Sequence, residues 1–232
     1  MLVVFSIVSH GHRAHVEKLL GDIRLHVSAE QLDLQLVVTS NIPEEDYCAP
    51  NESVGFTHIK NLRPKGFGAN HNCVFEKFNP DFFFVVNPDI RILEPIDLKK
   101  IIQDLPALGI ASPIVYNSNG KIEDFARKDV TPWNLAKRHF LKKSDSTFDW
   151  LAGMFLIFNN HSFNELKGFD TSYFLYLEDC DICNRMTKRG GTLKIVHSFP
   201  VQHDAQRSSR KSIKYFQLHI RSLLKYWFGK IF

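Results

Sequence analysis

Cysteines are few in this sequence, and long apolar runs are missing from it. The 232 residues include four cysteines, Cys48, Cys73, Cys180 and Cys183, too few for a disulfide framework in a chain of this length. No apolar stretch reaches the roughly 20 residues that a membrane-spanning helix needs. The first segment, MLVVFSIVSHGHR, lacks the basic start and the cleavage site of a signal peptide. These absences predict a cytoplasmic protein in a reducing compartment.

Acidic residues are absent from the last part of the chain. From Ala205 onward there are seven Lys or Arg residues and no Asp or Glu, although the net charge of the whole chain is only +4. This local excess indicates a basic tail and argues against a nucleic-acid partner. Apolar residues recur there at helical spacing, at Ile213, Phe216, Ile220, Leu223, Leu224, Trp227 and Ile231.

The tail over 211–232 is therefore predicted to be a basic amphipathic helix. Two interpretations stay open. The helix lies at the cytoplasmic face of an inner membrane, where basic residues face an anionic leaflet, or it packs on the domain or on a second subunit. The sequence gives no oligomeric state.

Strands and helices alternate in the first 95 residues. The runs LVVFSIV, LDLQLVVTS and DFFFVV are typical of strands buried on both faces, with helical spacing between them. This alternation predicts a parallel sheet covered by helices. Later strands are predicted at 108–115 and 148–158, followed by a strand pair in TLKIVHSFPVQH. Ligands of such sheets bind beyond the strands' carboxyl ends, where Ser9–His12, Ser40–Asn41 and Asn87–Asp89 fall.

Three carboxylates lie within four positions of FLYLEDCDICNRM. If a helix begins at Glu178 and Asp179, Asp181 can pair with Arg185 four residues later. The helix dipole would then favour ionised Asp179. A carboxylate placed in a cleft suits the deprotonation of an attacking hydroxyl. The alternative is three acids that decorate a first helical turn, although the apolar lead-in YFLYL argues against full solvation.

The same stretch contains a Cys-x-x-Cys pair, Cys180 and Cys183. Zinc would need a second cysteine pair, and the neighbouring acids disfavour the thiolate that redox chemistry requires. We expect a packing role in which one of the two thiols faces the core.

Asp89 follows a buried strand, and His203 follows the last predicted one. A carboxylate at such a position can hold Mg²⁺ or Mn²⁺ together with a diphosphate, and a neutral imidazole can complete the site. A plain Asn-Pro-Asp turn and a surface histidine are the alternatives.

The stretch KGFGANHN places two glycines and two asparagines at the start of a helix. Backbone N–H groups at that position suit an anion. The spacing is neither that of a P-loop nor that of a dinucleotide-binding motif. A tight turn with an asparagine cap is equally compatible with it.

Taken in order, these stretches resemble the inverting glycosyltransferases of family 2, in particular the bacterial rhamnosyltransferase-like branch that builds O-antigen and other surface polysaccharides. The matching segments span about residues 3–210 and are FSIVSHGH, KNLRPKGFGANHN, FFFVVNPDIRI, DWLAGMFLIF, GFDTSYFLYLEDCDICNRMTKRGG and VQHDAQRSS. The resemblance implies an α/β glycosyltransferase A fold, with a Rossmann-like mixed sheet flanked by helices. Residues 1–95 would form the nucleotide-sugar half, 96–210 the acceptor half and 211–232 the C-terminal helix.

The resemblance also implies roles for individual residues. Asp179 is the implied catalytic base, with Glu178 as its support or fallback, and Asp89 and His203 are the implied ligands of Mg²⁺ or Mn²⁺. The candidate nucleotide-sugar contacts are Ser9, His10, Asn41, Gly66, Phe67, Gly68, Asn70, Asn87 and Arg207. The candidate acceptor contacts are Trp150 and Gly153, and Arg127 and Arg138 are further candidates for neutralising phosphates.

Two departures from the family pattern affect these expectations. Asn87 takes the first position of the Asp-x-Asp motif, which leaves one fewer carboxylate for the metal. The second strand ends in VVTSN, where many relatives carry an acidic residue near the base and ribose.

The implied activity is inverting sugar transfer, with dTDP-rhamnose favoured as donor and a glycan or polyprenyl-diphosphate-linked acceptor. A UDP-hexose glycosyltransferase of the same fold is one alternative. A nucleotidyltransferase is another, but SHGHR is a poor match to the basic glycine-rich loop that it would need. A non-catalytic nucleotide-sugar or glycan-binding module is the third, and only Asn87 favours it.

Overall fold

A computed structural model describes residues 1–51, 54–131, 147–204 and 213–229 of the chain. The strands are β1 (Leu2–Ser9), β2 (Val27–Ser28), β3 (Asp33–Ser40), β4 (Gly55–Lys60), β5 (Phe82–Val86), β6 (Ile90–Arg91), β7 (Ile96–Asp97), β8 (Gly109–Asn117), β9 (Ala126–Arg127), β10 (Trp150–Leu151), β11 (Phe155–Asn159) and β12 (Thr192–His203). The helices are α1 (Arg13–His26), α2 (Phe67–Phe78), α3 (Leu98–Gln103), α4 (Asn160–Glu165), α5 (Glu178–Lys188) and α6 (Ile213–Phe228).

The main sheet has eight strands in the order β4-β3-β1-β5-β11-β8-β12-β6. The first four are parallel, as the alternation of strands and helices predicts. β11 runs antiparallel to both of its neighbours, and β6 antiparallel to β12. The mixed sheet implied by the family resemblance is therefore confirmed.

Two strand predictions from the carboxyl-terminal half need correction. The predicted strand over 148–158 is two strands, β10 and β11, separated by a turn at Ala152–Met154, where the Met154 N–H donates to the Ala152 carbonyl at 2.8 Å. The predicted strand pair over TLKIVHSFPVQH is one strand, β12, whose register against β8 shifts between Val196 and Val201. Pro200 lies in this irregular stretch and has no N–H to give to a ladder.

Phenylalanine dominates the core beneath the central strands. Phe5 on β1, Phe84 on β5 and Phe155 on β11 are buried, and the Phe5 and Phe84 rings stack with centroids 4.6 Å apart. Phe155 meets both rings edge-on. Close-packed aromatic rings give this part of the sheet little freedom to move. The loops that follow β1 and β5, and the turn that precedes β11, therefore rest on a rigid base.

The C-terminal helix implied by the sequence is present as α6. None of the described helices combines the length and apolar character required to cross a membrane.

Candidate active site

The acid-bearing helix α5 begins where the sequence predicts, at Glu178. Glu178 is 5% exposed, and its Oε2 is buried without a hydrogen-bond partner among the described residues. Burial, and secondarily the charge of Asp179, raises the pKa of Glu178 well above its usual range. Glu178 is therefore the member of the pair that retains its proton more strongly.

Asp179 has a different environment from its neighbour. Its Oδ2 accepts a hydrogen bond from the Gly153 N–H at 2.8 Å, and its Oδ1 accepts one from the Cys180 N–H at 2.8 Å. Burial raises the pKa of Asp179, while these N–H groups and the Arg127 charge act against that rise. Hydrogen bonds to a carboxylate favour its ionised form. Of the two acids, Asp179 is thus the better placed to accept a proton.

The scaffold predicted behind these acids is confirmed. Arg185 Nε lies 2.7 Å from Asp181 Oδ2, four residues apart on α5. The same guanidinium donates to the carbonyls of Leu166 and Gly168, at 2.6 and 2.9 Å. Arg185 therefore ties α5 to the end of the preceding helix.

Cys180 and Cys183 both face the core, whereas the sequence predicts that only one does. Both are fully buried and free of disulfide bonds. Burial raises the pKa of each thiol, so neither is poised as a thiolate. The predicted packing role fits this environment.

Asp89 and His203 lie together, although they are far apart in sequence. His203 Nε2 is 3.2 Å from Asp89 Oδ2, and Asp89 Oδ1 is buried without a partner among the described residues. The antiparallel pairing of β12 with β6 aligns His203 with Ile90, the residue after Asp89. An unpartnered carboxylate oxygen beside an imidazole nitrogen fits the oxygen and nitrogen ligands of a divalent metal.

Glu123 is the third member of this cluster, and sequence reasoning missed it. Its Oε2 lies 3.1 Å from His203 Nδ1, on the side of the ring opposite Asp89. Burial lowers the pKa of His203, but the bonds and charges of Asp89 and Glu123 outweigh it, so the pKa is raised. No described group of three or more His, Cys, Asp or Glu side chains converges as a complete metal site. Asp89 and His203 therefore stay the two candidate metal ligands, and Glu123 contacts His203 from behind.

One short turn joins this cluster to the acid centre. Gly153 donates to Asp179, and the next residue, Met154, accepts a hydrogen bond from the Asn87 N–H at 2.9 Å. Asn87 in turn accepts from the Ile90 N–H at 3.2 Å, so Asn87–Ile90 is also a turn, as the alternative reading expects. The turn at Ala152–Met154 thus places the carboxylate pair beside the Asp89 loop.

Asn70 of the KGFGANHN stretch forms a network with Asn41 and Asn61. Asn41 Oδ1 accepts from the Lys65 N–H at 2.8 Å and from Asn61 Nδ2 at 3.0 Å, while Asn61 Nδ2 also donates to Asn70 Oδ1 at 2.6 Å. Asn41 and Asn70 are both buried. These amides fix the loop that precedes α2, and their direct contact with a nucleotide stays a prediction.

The two glycines of this stretch permit close packing. A Cβ on Gly66 would lie 2.9 Å from the Phe174 carbonyl oxygen, and one on Gly68 would lie 2.5 Å from Phe169 Cβ. Phe67 lies between them, and its N–H donates to the Phe174 carbonyl at 2.9 Å. The glycines therefore bring the start of α2 against the segment that leads into α5. Anion binding by this turn stays a prediction.

A half-buried carboxylate, that of Glu44, lies at the carboxyl ends of β1 and β3. Ser9 Oγ donates to Glu44 Oε1 at 2.8 Å, and Tyr47 OH donates to the same oxygen at 3.2 Å. Glu44 Oε2 is buried without a partner among the described residues. Beside them, His10 Nδ1 is 3.3 Å from Asn41 Nδ2. Glu44 thus supplies an acid close to the end of the VVTSN strand, which itself has none.

Trp150 lies inside the structure, with 4% of its surface exposed. Its indole N–H donates to the Lys128 carbonyl at 2.8 Å, and the Arg127 guanidinium covers its ring at 5.0 Å. A role in acceptor binding therefore stays a prediction for Trp150, as it does for Gly153. The remaining candidates, Arg138 and Arg207, lie outside the described residues.

Two relatives with known names match the sequence. Rhamnosyltransferase WbbL of Escherichia coli K12 is 28% identical over 97% of this chain and 92% of its own length. N-acetylglucosaminyl-diphospho-decaprenol L-rhamnosyltransferase of Mycobacterium tuberculosis is 26% identical over 63% of this chain and 55% of its own. No family model matches the sequence.

Solved structures match the fold at low sequence identity. The crystal structure of GalNAc-T7 with UDP, GalNAc and Mn²⁺ is 14% identical with a TM-score of 0.66, covering 97% of this chain and 48% of that one. Mannosyltransferase PcManGT from Pyrobaculum calidifontis, in complex with GDP-Man and Mn²⁺, is 12% identical with a TM-score of 0.62, covering 94% and 64%.

The predicted fold class is confirmed, because these neighbours share the glycosyltransferase A fold. The sequence resemblance to rhamnosyltransferases is confirmed as well, since both named relatives carry that activity. Together the findings support a rhamnosyltransferase-like glycosyltransferase.

Proposed function

We propose that this rhamnosyltransferase-like chain transfers L-rhamnose from dTDP-rhamnose to a hydroxyl of a lipid-linked or oligosaccharide acceptor, with inversion at the anomeric carbon. The observation that carries the proposal is the turn at Ala152–Met154, which bonds to the carboxylate of Asp179 and to Asn87, in the loop that carries Asp89. An inverting transfer needs both parts close together, a base for the acceptor and a site for the diphosphate. The two named relatives support rhamnose as the sugar.

In this mechanism Asp179 receives the proton of the acceptor hydroxyl. The hydroxyl oxygen attacks the anomeric carbon from the face opposite the diphosphate, a new C–O bond forms, and the bond to the nucleoside diphosphate breaks. Burial raises the pKa of Glu178 well above its usual range, which favours a single charge on the acid pair. The product is the inverted glycoside.

Asp89 and His203 are the residues that would hold Mg²⁺ or Mn²⁺. Such an ion offsets the charge of the leaving diphosphate. Glu123 holds His203 by Nδ1, so Nε2 points toward Asp89 and the proposed ligand side. Carboxylates commonly fix metal-binding histidines in this way.

We place the nucleoside of the donor at the ends of β1 and β3. Ser9 and Tyr47 occupy one oxygen of Glu44, and the free oxygen can accept a hydrogen bond from a ribose hydroxyl or a base N–H. Glu44 would therefore replace the acidic residue that many relatives carry after the second strand.

The acceptor is proposed to be polyprenyl-diphosphate-linked, with the protein bound peripherally to the membrane that holds it. The name of the mycobacterial relative specifies a decaprenol-linked acceptor. An exposed apolar face on α6 supports membrane contact, with Ile213, Phe216, Ile220 and Leu224 between 39% and 78% exposed.

The deciding experiment replaces the base. Asp179→Asn should still bind the donor but lose transfer by at least about a hundredfold, the usual contribution of a general base. Initial rates with dTDP-rhamnose and a panel of UDP-hexoses measure transfer, and calorimetry measures donor binding. Asp33→Asn, an exposed change at the start of β3, is the matched control and should behave as wild type.

Near-normal turnover by Asp179→Asn would remove this residue from the mechanism. If the wild type transferred only glucose or another hexose from UDP, the UDP-hexose alternative would replace rhamnose. If the wild type bound nucleotide sugars without turning over any of them, the non-catalytic module would replace both.

A further inference from the structure

Helix α6 contacts residues 170–177, the segment that leads into the acid-bearing helix α5. Ser222 Oγ donates to the Leu175 carbonyl at 2.8 Å, and the His219 ring meets the Tyr176 ring edge-on with centroids 5.1 Å apart. At the next turn of α6, Lys225 Nζ lies 3.0 Å from Asp170 Oδ2. Helix α6 therefore contacts this segment at successive turns. The contact with Tyr176 lies two residues before Glu178.

The backbone at the end of this segment is strained. Tyr176 and Leu177 have φ values of 72° and 68°, in the left-handed region that residues other than glycine rarely adopt. Such a conformation costs of order 1–3 kcal/mol per residue and persists only where the surroundings impose it. Leu177 is the N-cap of α5 and is buried. The orientation of Glu178 and Asp179 thus depends on the backbone of Tyr176 and Leu177. That strained backbone is kept in place by contacts with the surrounding structure.

Helix α6 also contacts the segment on the other side of the acid centre. Trp227 Nε1 donates to the Val130 carbonyl at 2.6 Å, and the Tyr226 hydroxyl bonds to Asp129. Burial lowers the pKa of His219, and the charges of Asp179 and Arg127 act on it in opposite directions. Helix α6 therefore contacts both the segment before α5 and residues 129–130.

We propose that α6 is a positioning element of the acid centre, in which His219 acts through Tyr176 and Ser222 acts through Leu175 to aim Asp179 at the acceptor. The proposal rests on the proposed function, since Asp179 is the base there. A base displaced by about 1 Å can lose on the order of a hundredfold in rate. Among the described residues, neither side chain contacts Ser9, Asn41 or Asp89. Phe67 does bond to Phe174, next to Leu175, so we expect a small change in donor binding and a larger one in kcat.

The test uses the full chain and a water-soluble acceptor analogue, so that membrane contact plays no part. The double variant His219→Ala/Ser222→Ala should lower kcat at least about tenfold and change the donor KM much less. His219→Phe alone should stay near wild type, because a phenyl ring keeps the edge-on contact with Tyr176. Phe216→Ala, which removes a ring from the exposed face of the same helix, should leave kcat unchanged.

Hydrogen exchange gives a readout that does not depend on activity. Amides in 174–180 should exchange faster in the double variant than in wild type, and at the wild-type rate in Phe216→Ala. Wild-type exchange and kcat in a folded double variant would overturn the proposal. Equal losses of kcat in His219→Phe and His219→Ala would also overturn it, in favour of direct contact between His219 and the substrate. If the wild type transferred no sugar, the proposed function would fail, while the exchange rates would still decide whether α6 holds this segment.

Discussion

At the scale of single residues, the adjacent acids Glu178 and Asp179 differ in how strongly their surroundings favour the protonated form. Glu178 is buried with an unpartnered oxygen, whereas both oxygens of Asp179 accept backbone N–H groups. The sequence shows only two adjacent acids, and their different roles follow from what each oxygen contacts. His71 is a similar case, because its type suggests a surface or ligand role while its position makes it a core residue.

His71 should make the protein less stable in mild acid. It is fully buried, bonded through Nδ1 to Ser6 Oγ at 2.8 Å, and burial lowers its pKa from 6.5 to about 3. In the unfolded chain, His71 therefore binds a proton below about pH 6.5. In the folded chain it stays neutral down to about pH 3. Stability contributed by neutral His71 is complete above pH 6.5 and is lost as the pH falls through this window, by up to about 1.4 kcal/mol per pH unit.

Urea unfolding at pH 7.5, 6.0 and 5.0 checks this. His71→Asn, which cannot take up this proton, should show a smaller loss of unfolding free energy over the range than wild type. His161→Asn, at an exposed position on α4, should keep the wild-type slope. Equal slopes in wild type and His71→Asn would contradict the prediction.

At the scale of elements, α6 presents two faces to two different environments. Leu223 and Tyr226 are buried against the domain, while Ile220 and Leu224 are exposed. The sequence left a membrane helix and a packed helix as alternatives, and it assigned Leu223 and Leu224 to the same face. The structure separates them, so the helix packs on the domain with one face and keeps an apolar face available.

The exposed face of α6 should bind anionic membranes. Wild-type protein is expected to sediment with vesicles that contain phosphatidylglycerol, and binding should weaken in high salt because each basic residue near the surface contributes about 1 kcal/mol. Ile220→Ser/Leu224→Ser should reduce sedimentation. Leu25→Ser removes an even more exposed apolar side chain from α1 and serves as the control. An equal effect of the two variants, or no sedimentation of wild type, would show that α6 is not the membrane contact.

At the scale of the whole molecule, the proposed site joins residues from early and late in the chain. The start of α2 packs against Phe169 and Phe174, and the turn at Ala152–Met154 bonds to Asn87 on one side and Asp179 on the other. A donor bound across these elements would stabilise the contacts between them. Ligand binding should therefore appear as stability of the entire chain.

Thermal unfolding should report donor and metal together. With dTDP-rhamnose, adding Mn²⁺ is expected to raise Tm further, because a ligand at 100 times its Kd stabilises the folded state by about 2.7 kcal/mol. The Mn²⁺ increment should vanish in Asp89→Asn and shrink in Glu123→Gln, since loss of such an outer carboxylate typically weakens metal binding 10–100-fold. Glu76→Gln, an exposed change on α2, should retain it. A full increment in Asp89→Asn would refute this metal site.

Most of the main strands and helices, and part of the acid centre, can be read from the sequence alone. The run FFFVV could be read as a buried strand, Glu178 as a helix start and Asp181–Arg185 as an ion pair, because each depends on residues close together in the chain. Three contacts of the site become visible only in the folded chain: Glu123 with His203, Gly153 with Asp179, and Glu44 with Ser9. These contacts join residues far apart in the chain, and strand order and direction bring them together. Hydrophobic periodicity specifies which face of a strand is buried, but not which strand lies beside it.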